Sequence, residues 1–583
     1  MERRYQLVVL LVAAAIYFGC IVSPPGLMDD VDAVQAQIAR NMLESGDWVT
    51  ARLNGVAYLE KSPLIYWSMA VSFAIFGVHD WAARIPLASC VVLLCWLTAR
   101  FARWAFSEAA GLYAGLMLAT CIGLWLFTRI QIPDAILTAA ITLAMWSFLQ
   151  AMESGRAKYA YLMSIAIAAG LLLKGLIAML FPLAAIVLWL TAAGRWSEWR
   201  KLRPFTGALI LLAIAAPWHV LATLRNPPYF DFTMKSEPGQ YHGFFWFYFF
   251  NEHVFRFLNM RWPRDYNTVP RHLFWLFHLL WLFPWSAFLP AIAKLKFAPT
   301  GRAGATRLLA LCWAGFLLLF FTFSTTQEYY GMPCYPALAL LLASAIEKEE
   351  SVWLRRGQLL IGVTAAFAAA AVAFILVRVH GLGTPGDISR ALTQNPDAYT
   401  LSLGHMGDLT VASFAYLRVP LVMGGLAFLI GAFAAFKYKR TQLVLGLAAM
   451  MTLFFHAART ALIAFDPYLG SRPLAEALKQ APPGTLIVDN QYYTFSSVFF
   501  YANPPQALLL NGRVNNLEYS SYAPNAPDVF IDDGQFQKRW AAPERYYLIV
   551  EKPNVPRVES LVGPERLILI KESGGKFLFA NTK

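Results

Sequence analysis

Apolar runs of roughly 20 residues recur along this chain from the N-terminus to about residue 465, separated by short polar or basic stretches. A bilayer core takes about 20 helical residues, and within it only a helix or a closed barrel satisfies its own backbone. The pattern predicts an all-α polytopic membrane protein with about 13 transmembrane helices. The expected spans are residues 5–22, 82–105, 109–127, 135–151, 159–173, 176–192, 205–221, 272–293, 308–323, 333–346, 359–377, 417–436 and 443–465. The run 63–77 is only about 15 residues long, short for a span, and is assigned to the interface. Beyond residue 466 the pattern changes to short alternating segments (TLIVD, ALLLN, DVFID, YYLIVE, LILIKE), which read as strands. Residues 1–466 are therefore expected to form the membrane domain and 467–583 a small α/β domain.

Charge orients this array. The chain is 583 residues long, 58% hydrophobic and only 14% charged, with a net charge of +13. In such a chain excess Lys and Arg mark cytoplasmic loops rather than nucleic-acid binding. With the N-terminal MERRYQ inside and the run 63–77 interfacial, the basic stretches ARFARW, ESGRAK, GRWSEWRKLR, KLKFAPTGRAGATR, EKEESVWLRR and KYKR all fall on the cytoplasmic face. The first span lacks a small-residue cleavage site and is read as an anchor. The loops 24–81, 129–134, 223–271 and 324–332, together with the C-terminal domain, then lie outside. The six cysteines show neither metal spacing nor a disulfide framework and read as packing residues.

Candidate chemistry concentrates in residues 28–66, MDDVDAVQAQIARNMLESGDWVTARLNGVAYLEKSPLIY. Charged groups at a membrane boundary are costly unless paired, hydrated or used. Asp29, Asp30 and Asp32 read as general bases or sugar ligands, and equally as caps for a helix over about 33–45. Asp134 opens a span directly after Pro133 and carries the same two readings. Lys61 and Arg256 are natural phosphate ligands, with snorkelling towards headgroups as the alternative. Tyr58 and Tyr330 can hydrogen-bond a phosphate or belong to an interfacial belt. Glu60 and His253 can share a divalent metal or a plain hydrogen bond. Lys174 reads as a structural or headgroup contact. The aromatic stretch FFWFYFFNEHVFRFLNMRW suits a segment lying in the interface. No P-loop or GxGxxG motif lies in the external loops. An outward-facing transferase would therefore use a lipid-linked donor, with cations stabilising the leaving phosphate.

The stretch DDVDA through YLEKSPLIYW resembles the first external loop of the GT-C glycosyltransferases of the protein O-mannosyltransferase superfamily, most closely the bacterial lipid A aminoarabinose (ArnT-like) transferases. IPDA at Asp134, EHVFRF at 252–257, Pro284-Trp285 and the stretch 330–336 extend the resemblance over the membrane region. It implies a GT-C fold and an inverting, multi-pass enzyme of the bacterial inner membrane, with its active site and C-terminal domain in the periplasm. The implied donor is an undecaprenyl-phosphate-linked sugar, the acceptor lipid A or another envelope molecule, and the state a monomer in membrane lipid without nucleic acid. Lys61, Arg256 and Tyr330, with Tyr58, are then lipid-phosphate ligands. Glu60 and His253 are a metal pair, zinc in this family, and no nucleotide is needed. Asp134 is the second-loop acid. The family's Asp-Glu pair is replaced here by Asp-Asp-Val-Asp, which favours Asp30 while leaving Asp32 open. Gln327-Glu328 stands where the family commonly has Lys.

Three readings follow. The first is transfer of a sugar, 4-amino-4-deoxy-L-arabinose by resemblance, to a lipid A phosphate, with polymyxin resistance as its consequence. The second changes the acceptor to a protein hydroxyl or another envelope glycan, which would need base catalysis by Asp30. The third is a transporter or flippase. It is disfavoured because the acids gather at one boundary and no inverted repeat is visible.

Overall fold

The computed structural model describes residues 2–235, 237–264, 268–324, 326–348, 351–393 and 402–582. Among them, ten helices are long and apolar enough to cross a membrane, beginning with Arg4–Val22 and ending with Arg440–Leu469. An eleventh crossing is the broken pair Arg271–Trp281 and Trp285–Lys294, bent by 101°. Each of the thirteen expected spans is helical, but three depart from a simple crossing. The run 109–127 divides into Glu108–Ala119 and Ile122–Phe127, Ile177–Ala193 is a short apolar helix, and 272–293 is the bent pair. The interfacial run forms the 13-residue helix Leu64–Phe76.

The bundle core is built on small residues that let helices approach closely. A Cβ on Gly115 would sit 2.7 Å from Val9 and 2.8 Å from Ala99, so only glycine permits that three-helix contact. Between the first span and Leu64–Phe76 lie the amphipathic helix Val31–Ser45 and a two-stranded hairpin, β1 (Arg52–Leu53) and β2 (Val56–Ala57).

After the last long helix the chain forms a six-stranded sheet. Its strands are β3 (Thr485–Asp489), β4 (Leu508–Leu510), β5 (Phe530–Ile531), β6 (Tyr546–Glu551), β7 (Ile568–Ser573) and β8 (Lys576–Ala580). Their order is β5-β4-β3-β6-β8-β7. The first four are parallel, and β7 and β8 close the far edge antiparallel. The five segments read as strands are strands, and β8 completes the sheet. One face carries its own cover of Phe536, Trp540 and Val558 over Ile487, Leu510 and Leu548. The other face shares one apolar core with the first loop, where Val34, Ile38, Tyr66 and Phe73 pack with Phe495, Val498, Phe499 and Leu509.

Candidate active site

Three neighbouring acids of the first loop meet three different fates. Asp32 is buried. Its carboxylate pairs with Arg84 (2.8 Å) and accepts the backbone N–H of Met28 and Gln131. Asp29 accepts from Lys576 Nζ (2.5 Å), from Ser471 and from the backbone N–H of Ser497. The oxygens of both are engaged by buried structural partners, an anchoring arrangement rather than the open one a catalytic carboxylate needs. Asp30 alone of the three is exposed. It sits at φ 69°, ψ −144° at the start of Val31–Ser45, and its side chain makes no capping bond. That backbone is unfavourable for a residue with a Cβ and persists only when its surroundings dictate it. Here its N–H donates to the Tyr493 carbonyl, and its own carbonyl accepts from Ser496 Oγ.

The other end of the loop enters a ladder of alternating charge. Glu60 lies 3.6 Å from Lys61 Nζ and 2.9 Å from Arg261. The Arg261 guanidinium also donates to Glu252, and Glu252 pairs with Arg256 at 2.7 Å. Glu60, Glu252 and Arg261 are almost wholly buried, while Lys61 and Arg256 are partly open. Burial alone would raise the Glu252 pKa, but Arg261, Arg256 and Lys61 together hold it below the usual carboxylate range. Among the described residues three cations, Lys61, Arg256 and Arg261, alternate with two carboxylates, and the partly open ends of the ladder, Lys61 and Arg256, are both cationic. Tyr58 is buried and donates to Glu60 (3.2 Å), and burial followed by the Glu60 charge pushes its hydroxyl pKa up.

A third group closes the arrangement. Asp134, 2% exposed, is the first residue of helix Asp134–Ser154 and pairs with Lys174 Nζ at 2.5 Å. Its other oxygen, Oδ2, is buried with no hydrogen-bond partner among the described residues. Lys174 lies over the rings of Tyr330 (4.6 Å) and Tyr329 (5.1 Å). The following turn ties this group to the ladder, because the N–H of Leu176 donates to His253 Nε2 (3.1 Å). Ser62 joins the same turn, donating to the Leu171 carbonyl and bonding Tyr248. Phe257, next to Arg256, packs on Phe320, and Phe321 on Tyr330.

The family model for dolichyl-phosphate-mannose-protein mannosyltransferases matches residues 60–220, opening at Glu60. An undecaprenyl phosphate-alpha-4-amino-4-deoxy-L-arabinose arabinosyl transferase of Enterobacter sp. (strain 638) is 28% identical over 354 residues, 59% of either chain. Its namesake from Aeromonas salmonicida (strain A449) is 30% identical over 321 residues, 53% of this chain and 54% of that one. The chain thus matches little more than half the length of these relatives. The crystal structure of ArnT from Cupriavidus metallidurans bound to undecaprenyl phosphate superposes with a TM-score of 0.79 at 20% identity, covering 99% of this chain and 98% of that one. The fold is the ArnT-type GT-C fold. The resemblance read from the first loop is upheld, and the chain is a multi-pass membrane protein of ArnT-like architecture.

Within this ArnT-type arrangement some participants were not legible in the sequence. Arg261 is the buried hinge of the ladder, yet MRW after Arg256 carried no signal beyond a further cation in the aromatic stretch. Lys174 is a structural contact, and the partner it serves, Asp134, lies forty residues away. Asn516 and Tyr493 come from the C-terminal region. Asn516 donates to Glu60 (2.7 Å), and Tyr493 donates to Tyr58 (3.0 Å). No local pattern could have linked them to the loop.

The expected metal pair does not fit this arrangement. His253 Nδ1 donates to the Tyr248 carbonyl (2.5 Å), and Nε2 accepts from Leu176, so both ring nitrogens are engaged. Burial lowers the His253 pKa and keeps the ring neutral. Glu60 is held by Arg261, Asn516 and Tyr58. Among the described residues no group of three or more His, Cys, Asp or Glu is placed to hold a metal. In this fold His253 holds the Lys174–Leu176 turn, and no step is assigned to a metal.

Proposed function

We propose that this chain is a membrane glycosyltransferase that moves 4-amino-4-deoxy-L-arabinose from undecaprenyl phosphate to a lipid A phosphate. The proposed setting is the periplasmic face of the bacterial inner membrane. The observation that carries the reading is the ladder Lys61–Glu60–Arg261–Glu252–Arg256, joined through the 174–176 turn to Asp134 and Tyr330. Its open cations suit a lipid phosphate, and the names of the relatives point to the same donor and sugar.

In this reading the sugar's anomeric carbon is attacked by an acceptor phosphate oxygen while the bond to the lipid phosphate breaks, with inversion. Lys61 and Arg256, steadied by Arg261, stabilise the charge that develops on the departing phosphate. An acceptor phosphate is already ionised, so no strong base is required. Asp30 and Asp134 then orient the sugar and face its amino group, with Asp134 held in place by its ion pair with Lys174.

The description of the matching family model names a protein acceptor, which supports a second reading: transfer to a Ser or Thr hydroxyl, with Asp30 as base. Mass spectrometry of lipid A from cells with and without the gene separates the two. A mass increase of one aminopentose on lipid A is expected. An unchanged lipid A in cells that express the protein, with glycosylated envelope protein instead, would overturn the first reading in favour of the second.

A further inference from the structure

Beyond the face it shares with the first loop, the C-terminal sheet meets the membrane region through the carboxyl ends of its parallel strands. In the parallel part, β5-β4-β3-β6, chain order reverses between β3 and β6, and in open α/β sheets ligands gather outside the carboxyl ends of the strands at such a reversal. Here that edge is applied to the first loop and the aromatic loop. The segment after β3 supplies the Tyr493 and Ser496 contacts to the Asp30 backbone and the Tyr493 hydroxyl to Tyr58. The segment after β4 forms the helix Asn515–Ser521. The two segments are joined where Asn515 donates to Gln491 (2.5 Å).

Asn516 and Tyr519 stand three residues apart on that helix and so share a face. Asn516 donates to Glu60 Oε1, the oxygen that also faces Arg261. The Tyr519 hydroxyl accepts from the His242 N–H (2.8 Å) and donates to the Gly243 carbonyl (3.0 Å), pinning the entry to the π-helix Trp246–Phe255. Its ring stacks on Phe247 at 4.1 Å. That π-helix carries Glu252 and His253, and Arg256 follows directly. One short helix therefore grips both strands of the charge ladder, the YLEK segment through Asn516 and the Glu252–Arg261 segment through Tyr519.

We propose that the helix Asn515–Ser521 is a positioning clasp, in which Asn516 and Tyr519 fix the spacing between Lys61 and Arg256 and so set the affinity of the site for a lipid phosphate. The inference rests on the reading of that site as a polyprenyl-phosphate cradle. Asn516 acts by holding Glu60, which orients Arg261 and, through Glu252, Arg256. Tyr519 acts by holding the segment on which the last three are carried.

The test uses the full-length protein in detergent with undecaprenyl phosphate as the probe, comparing wild type with Asn516→Ala, Tyr519→Phe, Tyr519→Ala and a control on the exposed far edge, Lys571→Ala. Affinity and amide hydrogen exchange over residues 241–262 are both measured. Asn516→Ala is expected to bind undecaprenyl phosphate about tenfold more weakly, the effect of losing one hydrogen bond to a charged group. Tyr519→Phe, which keeps the stack and loses only the hydroxyl, should bind more weakly and speed exchange over 241–262. Tyr519→Ala should exceed it in both, and Lys571→Ala should match wild type. Wild-type affinity and exchange in Asn516→Ala and both Tyr519 variants would overturn the clasp while leaving the cradle standing. A wild-type protein that does not bind undecaprenyl phosphate would overturn the cradle reading and with it the affinity role of the clasp, while Tyr519 variants that still accelerate exchange would show the helix holding the 241–262 segment on its own.

Discussion

Asp30 and Asp32, two residues apart, meet opposite surroundings. Asp32 neutralises Arg84, and both side chains are 1% exposed. Removing one partner of such a pair leaves an uncompensated buried charge, which costs about 3–5 kcal/mol. Asp32→Ala is therefore expected to lower the melting temperature and the membrane level of the protein. Asp30→Asn should leave both unchanged and reduce transfer by at least about a hundredfold, the scale of removing a group aimed at the reacting centre. Equal loss of protein in both variants would refute the distinction. Glu252 carries a pH signature. Its folded pKa lies below its unfolded value of about 4.3, so the stability it supplies is complete above that value and lost as pH falls through the folded one. The difference in melting temperature between wild type and Glu252→Gln should thus be largest above about pH 5 and shrink on acidification.

The turn that ends helix Ala157–Lys174 joins the two halves of the site. Gly175 sits at φ 72°, and a Cβ there would lie 2.2 Å from His253 Nε2. The position needs glycine for both its backbone and its packing. Gly175→Ala should displace His253 or the turn, misalign Lys174 with Asp134 and lower transfer more than it lowers the amount of folded protein. Comparing activity per folded molecule checks this. Because His253 is committed to the turn, washing with EDTA is expected to leave transfer intact. Activity lost to the chelator and restored by zinc would refute that assignment of His253. The π-helix Trp246–Phe255 bears on the same point. Such segments are rare and favour functional sites, and this one brings His253 against the turn while Glu252 stays in the ladder.

At the scale of the whole molecule, the C-terminal sheet has no face of its own to turn towards the bundle. The core it shares with residues 31–83 and the bond from Lys576 to Asp29 make it the roof of the first loop. A chain ending at Leu469 would uncover Val34, Ile38 and Phe73 and release both Asp30 and Glu60 from their tethers. It is expected to lose all transfer and to become sensitive to protease within residues 28–66. Limited proteolysis of the truncated and full-length chains tests this, and wild-type resistance in the truncated chain would show that the loop holds its own shape.

The ten long apolar helices and five of the six C-terminal strands could be read from sequence because burial in lipid or in a sheet imposes a period that each segment carries in itself. The YLEK and EHVFRF stretches likewise announced their charges, since acids and cations beside apolar runs stand out locally. What could not be read was partnership. Which aspartate remains exposed depends on Arg84 and Lys576, distant in the chain. That Lys174 serves Asp134, and that Arg261 bridges two glutamates, depends on helix ends brought together by packing. The breaks near residues 120 and 283 lie inside runs whose apolar composition continues unbroken. Composition decided that this chain enters a membrane and where its charges concentrate. Only the tertiary fold decided which of those charges neutralise one another in the interior and which stay at the surface, because a buried charge takes its role from the nearest opposite charge in space.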